Sequence, residues 1–189
     1  MTLIILLTLL GIIVALITFC IIIYNGLISL KHNISKAWSN IDVLLKQRYD
    51  ELPKLVSVCE GYMQHERAVL ENVTKARSQL DSAGSEKEIV NANNAITSAL
   101  RSLFAVVENY PDLKADRAFR QLQARVSQLE DQIADRRELY NESVNLFNIR
   151  IEQFPDVIIA SMMRLDEREL WQIDPEHRED VNMKFSVPA

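Results

Sequence analysis

Side chains that can hold a proton, a metal or a covalent bond are present in this chain, but few stand at workable spacings. His65-Glu66 supplies the first half of the H-E-x-x-H zinc signature. Position 69 is Val, so the second imidazole on the same helix face is missing. A di-iron bundle requires Glu-x-x-His pairs on facing helices, and none of His32, His65 and His177 has a Glu three positions before it. The chain has no Gly-rich phosphate loop, no G-x-S-x-G and no C-x-x-C. Cys59 is a candidate nucleophile, yet it falls in phase with an apolar helical stripe, which reads as a buried structural thiol. Cys20 lies inside an apolar run, so the two cysteines do not suggest a disulfide framework. Asn33, Asn72 and Asn141 each open a glycosylation sequon, but in helices expected to face the cytoplasm these read as chance. Charges of both signs interleave, as in Arg101, Glu108, Lys114, Asp116, Arg117 and Arg120, and the denser patch from Glu130 to Arg137 does the same. That is a solvated, salt-bridged surface rather than a nucleic-acid stripe. The residues therefore nominate no catalytic, cofactor-binding or metal-binding set. The expectation is a protein that is not an enzyme, takes no cofactor and binds no nucleic acid.

The elements that would position any site begin with an unusual stretch. All 21 basic and 26 acidic side chains, net charge −5, lie after Leu30, and the first 30 residues contain no ionisable side chain except Cys20 and Tyr24. Leu3 to Tyr24 is apolar apart from Thr8, Gly11 and Thr18. About 22 residues at 1.5 Å each span about 33 Å, enough for a hydrocarbon core of about 30 Å. A soluble core helix would show a polar face, and this stretch has none. A cleaved signal peptide fits less well: no basic residues precede the run, it is too long, and no A-x-A-like site follows. Bulky Phe19 and the continuing run Ile21–Ile23 argue against a lipoprotein site at Cys20. Lys31, Lys36, Lys46 and Arg48 follow the span, which predicts N-out orientation with the rest of the chain in the cytoplasm, at the cell inner membrane. Membrane lipid is the first expected partner.

Beyond the span the periodicity is helical, and four Gly and five Pro leave little material for a many-stranded fold. Ile34, Trp38, Ile41, Leu45, Leu52, Leu55, Cys59, Tyr62, Val69, Val73 and Ala76 share a stripe, interrupted by Arg48 and Glu66. Pro53 is expected to kink or divide this helix. Asp81–Ser85 is a turn, with Ser85 and Glu88 as a capping box. A helix from about Glu86 to Asn109 buries Ile89, Ala92, Ile96, Leu100, Leu103 and Val107. Pro111 ends it, and Asp112 helps start the next. The longest stripe runs Phe119, Leu122, Val126, Leu129, Ile133, Tyr140, Val144, Phe147, Ile151 and Phe154, and Pro155 stops it. It can be read as a coiled-coil seam, but three partner stripes in the same chain favour a bundle core. Val157–Leu165 is a final short helix. The fold class is all-α: an N-terminal transmembrane helix (1–25), a long up-and-down antiparallel bundle (26–165), and a C-terminal tail (166–189) with an extended segment at Val181–Val187. The tail is expected to be loosely packed or to order against a partner. The membrane helix and the first bundle helix are expected to be nearly continuous.

Tyr24–Lys31, directly after the span, resembles the opening motif of the LemA family. Ala37–Val43 with Leu45–Asp50 resembles its most recognisable block, and Pro53–Val56, Gly61-Tyr62 and His65-Glu66 continue it in order. Ala105–Ala115, Phe119 with Leu122-Gln123, Arg137 with Tyr140-Asn141 and Val144, Phe147-Asn148 and Phe154-Pro155 complete the series. Lys54 stands where the family pattern has Asn, and the end after Met162 matches only loosely. The resemblance implies a bacterial membrane protein with one N-terminal helix and a long antiparallel bundle, without an agreed enzymatic activity.

Motif residues also have readings that need no catalysis. Trp38 fills the bundle core near the bilayer or meets lipid headgroups. Tyr110-Pro111-Asp112 is a rigid turn setting helix register. Tyr140-Asn141 is a polar pair that aligns the bundle, with a ligand site as the alternative. Two function classes follow. One is a structural or scaffold module that forms a homo-oligomer at the membrane and recruits membrane-protein partners. The other is a membrane-anchored sensor or accessory subunit that binds a small ligand or partner enzyme.

Overall fold

A computed structural model describes residues Met1–Gln172, which form helices with no strand among them. The order is α1 Thr2–Glu60, α2 Arg67–Asp81, α3 Glu86–Val107, α4 Pro111–Ala115, α5 Arg117–Glu152 and α6 Asp156–Met162. The all-α reading holds, and the long apolar helix stands first. The chain divides into two compact units.

One unit comprises Met1–Lys46 and Leu129–Leu170. Within it α1 is unbroken from Thr2, so the apolar span passes directly into the helix that follows it. Ile23, Leu27, Ile34, Ile41 and Leu45 of α1 are buried, as are Leu129, Ile133, Tyr140, Val144, Phe147 and Ile151 of α5. Their spacings of three, four and seven keep each set on one face. The guanidinium of Arg150 lies beside Gly26, and the ring of Tyr140 lies against Trp38. Position numbers rise on α1 as they fall on α5, so the two helices are antiparallel.

The second unit comprises Gln47–Gln128 with Trp171 and Gln172. Its core includes Leu52, Leu55, Cys59, Met63, Val73, Ile96, Leu103, Val107, Leu113, Phe119 and Val126. The α2–α3 connection carries the expected cap. Ser85 Oγ accepts the Glu88 N–H at 3.3 Å, while the Glu88 carboxylate accepts from the N–H of Gly84 at 2.7 Å. The return arm of the box thus reaches one residue further back than the usual pattern.

Four expectations change. Pro53 lies inside α1 and does not divide it; the break comes at Gly61–Glu66. A helical proline costs about 3 kcal/mol. Leu52, Leu55 and Cys59 beside it are fully buried, and each large apolar side chain so placed contributes about 1.5–3 kcal/mol, which offsets that cost. Arg48 does not interrupt the stripe by facing water, because its side chain is buried with the apolar residues. Tyr62 and Phe154 leave their stripes and are exposed, since α1 ends at Glu60 and α5 at Glu152 and the helical phase stops there. Pro111 opens α4 at its first position, where its missing N–H has no cost, so Asp112 serves α4 and Asp116 starts α5.

The start of the tail is tied down. Asn148 donates to the Arg168 carbonyl and accepts from the Arg168 N–H, both at 2.9 Å. Trp171 is buried, and Asn94 donates to the carbonyl of Gln172 at 3.5 Å. The expected extended segment Val181–Val187 and His177 lie outside the described residues.

Candidate functional site

The most buried polar group sits in the second unit. Arg48 stands at the position that Ile41, Leu45 and Leu52 set for the core face, and its side chain is wholly enclosed. A cation taken out of water needs a full set of acceptors. Nη1 donates to Thr97 Oγ1 at 3.1 Å, and Nη2 donates to the carbonyl of Asn93 at 3.5 Å and to its side-chain Oδ1. Asn93 is itself fully buried. The planar fork of arginine reaches acceptors on two turns of α3 at once, which a lysine ammonium does not. The arrangement clamps α1 to α3. Beside it the Arg77 guanidinium carbon lies 4.0 Å from the centroid of the Tyr49 ring, a cation–π contact.

The connections of this unit are held by carboxylates. Tyr110 Oη donates to Glu66 Oε1 at 3.4 Å, and Tyr62 Oη donates to Asp116 Oδ2 at 3.1 Å. Asp116 also accepts the Phe119 N–H at 2.9 Å, which makes it the N-cap of α5. That backbone bond, followed by the Tyr62 hydroxyl, holds the Asp116 carboxyl below its usual range. The bond to Asp116 raises the Tyr62 phenol, and burial, then Glu66, raises that of Tyr110. The sequence pair His65-Glu66 does not converge on one site. His65 lines an open cleft of about 980 Å³ with Val56, Met63, Arg67, Glu71 and Lys75, while Glu66 takes the Tyr110 hydroxyl.

Cys59 is buried in the core, and burial pushes its thiol up to about 11, so it is protonated at neutral pH and lacks the thiolate a nucleophile needs. Among the described residues no group of three or more His, Cys, Asp and Glu side chains could hold a metal ion.

The first unit offers a different kind of site. Trp38 is half-buried, its ring centroid 5.6 Å from that of Tyr140 with the planes at 59°, so one aromatic pair locks α1 to α5. Tyr140 is buried and Asn141 half-buried. Toward the N-terminus the apolar span is not covered by the other described residues. Leu3 through Ile22 are exposed without exception, and none of the most apolar 18-residue window is buried. A soluble core helix of this composition would be covered. The two hydroxyls in that run, Thr8 and Thr18, donate to the carbonyls of Ile5 and Val14, each at 2.8 Å, so the side chains ask nothing of the surroundings. Further along, Leu139, Leu146 and Ile149 are exposed on one face of α5.

Residues 37–185 match the family described as LemA family. Protein LemA of Metamycoplasma hominis is 30% identical over 162 residues, covering 84% of this chain and 73% of its own length. Magnetosome protein MamQ 2 of Paramagnetospirillum magneticum is 23% identical over 189 residues, 86% of this chain and 70% of that protein. Magnetosome protein MamQ of Magnetospirillum gryphiswaldense is 22% identical over 168 residues, 75% and 62% of the two chains.

Proposed function

The chain belongs to the LemA family, and from that premise we propose that it is a single-pass membrane protein whose helical domain serves as a non-catalytic structural module, self-associating at the bilayer. The observation that carries this reading is the distribution of uncovered apolar surface. Much of it lies on the Leu3–Ile22 span, which suits lipid, and a second part on the Leu139, Leu146 and Ile149 face of α5, which suits another helix. Three exposed apolar residues at offsets of seven and ten form a helical seam that the other described residues do not cover. Lys31, Lys36 and Lys46 after the span support N-out orientation in the inner membrane, with the helical domain in the cytoplasm.

Mass photometry of full-length protein in native-membrane particles tests the association. The expected mass is a multiple of the 21.7 kDa chain, falling to one chain in Leu139→Glu/Leu146→Glu. Monomers only in the unaltered protein overturn the reading. Cys20, exposed on the span, should be labelled by a membrane-impermeant maleimide only after detergent opens the bilayer, because the reagent does not enter hydrocarbon.

A second reading, that of a sensor or accessory subunit, draws on the cleft beside α2. Its roughly 980 Å³ are large enough for a small ligand, and Glu60, His65, Arg67 and Lys75 would give it polarity. Co-purification of a small molecule that is lost in Val56→Arg would favour this class over the scaffold.

A further inference from the structure

We propose that α6 lies in the bilayer interface beside the end of the span, with Phe154, Ile158 and Met162 among the acyl chains; this rests on the reading that Leu3–Ile22 crosses the membrane. In the first unit Ile159, Met162 and Met163 face Leu16, Cys20 and Tyr24 of α1 across an almost wholly apolar groove of about 480 Å³. Leu16 to Tyr24 covers about 12 Å of helix at the end of the span. A segment packed against those residues shares their depth, and an interfacial helix sinks about 5–10 Å into the headgroup–acyl boundary. The groove continues the lipid-facing surface of the span, so its occupant is an acyl chain.

The chemistry of α6 fits that depth. No charged residue lies between Asp156 and Arg164. Asp156, the acidic residue at the start, is buried and ion-paired with Arg150. The Ser161 hydroxyl donates to the Ile158 carbonyl at 2.9 Å. The end of the helix is closed as well. Leu165 N–H donates to the Ala160 carbonyl and Arg164 N–H to that of Ser161, both at 3.1 Å. This closure needs Arg164 at φ 51, a left-handed conformation that glycine normally supplies and that an L side chain adopts at a cost. In water the last carbonyls could be left to solvent; in hydrocarbon they could not. Outward, Phe154 is 82% and Met162 76% exposed, with Ile158 at 51%. Such side chains on a seven-residue helix cost least where lipid covers them.

Photoreactive phosphatidylcholine tests this with the unaltered full-length protein, reconstituted in phosphatidylcholine–phosphatidylglycerol vesicles and mapped by mass spectrometry. Adducts are expected both on Leu3–Ile22 and on Phe154–Met163. Adducts on the span alone overturn the interfacial α6 and leave the anchor standing. Adducts on neither overturn both. An environment-sensitive fluorophore at Ile158→Cys or Met162→Cys, in a Cys20→Ala background, gives the depth. It is expected to lose most of its emission to a lipid spin-labelled near the headgroup. A blue-shifted label that lipid quenchers do not touch means that a second copy covers the face, and overturns the proposal.

Discussion

The unit built on Gln47–Gln128 encloses its apolar side chains and an arginine with them, whereas the unit built on Met1–Lys46 and Leu129–Leu170 leaves its most apolar stretch bare. Both use long amphipathic helices with stripes at three and four. The difference lies in what satisfies each surface. Around Arg48 the protein supplies acceptors from Asn93 and Thr97. Along Leu3–Ile22 the described residues supply no cover, and the side chains need no polar partner beyond the helix itself. One unit closes its core with its own residues; the other leaves an apolar helix uncovered.

The largest expected effect breaks the first half of that contrast. Arg48→Ala removes a buried side chain and strands the Asn93 and Thr97 acceptors, with an expected loss of about 3 kcal/mol or more. Arg48→Lys should recover little, because one ammonium does not span both partners. Chemical denaturation of the full chain in detergent, followed by ellipticity, measures both. A loss under about 1 kcal/mol would mean that the clamp contributes no more than an ordinary surface contact.

Next in size is a charge placed where the chain offers no packing to disturb. Val14 is 54% exposed. Val14→Arg should leave the fold in detergent unchanged yet cost about 2.5–3.5 kcal/mol on insertion into a bilayer. The fraction of protein that stays with membranes after carbonate extraction reads this directly. Unchanged retention would erase the distinction between the two units. Smaller again is the aromatic pair of the first unit. A cycle of Trp38→Leu and Tyr140→Leu should give a coupling of about 0.5–1.5 kcal/mol, and additivity would show that the two rings merely sit side by side.

What the sequence made legible follows the same division. Signals that act locally were readable. Ser85 with Glu88 marked the start of α3, Pro155 the stop after α5, and the uncharged Met1–Leu30 the span. Stripe residues such as Ile96, Leu103, Val126 and Val144 are buried as their phase required. Features that depend on distant residues were not legible. Arg48 reads as a break in the pattern because its acceptors lie 45 and 49 positions away. Its position in phase with Leu45 and Leu52 was the available signal, since a charge on a core face is either an error or a clamp. Pro53 does not divide α1 for a related reason, as burial of its neighbours outweighs a local penalty. Tyr62 and Phe154 escaped their stripes because a period says nothing once its helix has ended. The candidate site had no motif at all; it consists of exposure, which no single residue type encodes.

The smallest expected effect sets the two units against each other in sign. Asp116 caps α5 in the second unit, and its folded carboxyl is held below the usual range by the Phe119 N–H and then by Tyr62. A group depressed by folding contributes stability above its unfolded pKa and loses it as pH falls through the folded value. In the first unit the folded carboxyl of Glu152 is raised by its hydrogen bond to Glu167, then by that neighbour's charge. A raised group contributes below its unfolded pKa, and that contribution is lost as pH rises through the folded value. Acidification should therefore loosen the start of α5 and tighten its end. Glu152 is exposed and Asp116 is half-buried at the surface, so solvent screening keeps each contribution small. Thermal midpoints followed from neutral pH down through the carboxylate range separate them. Asp116→Asn keeps a capping oxygen and should flatten the acid loss. Glu152→Gln replaces the shared proton by an amide donor at every pH and should raise the neutral midpoint slightly. If both substitutions move the profile in the same direction, the opposition between the two ends of α5 is not electrostatic, and what still separates the units is the burial of Arg48 and the bareness of the span.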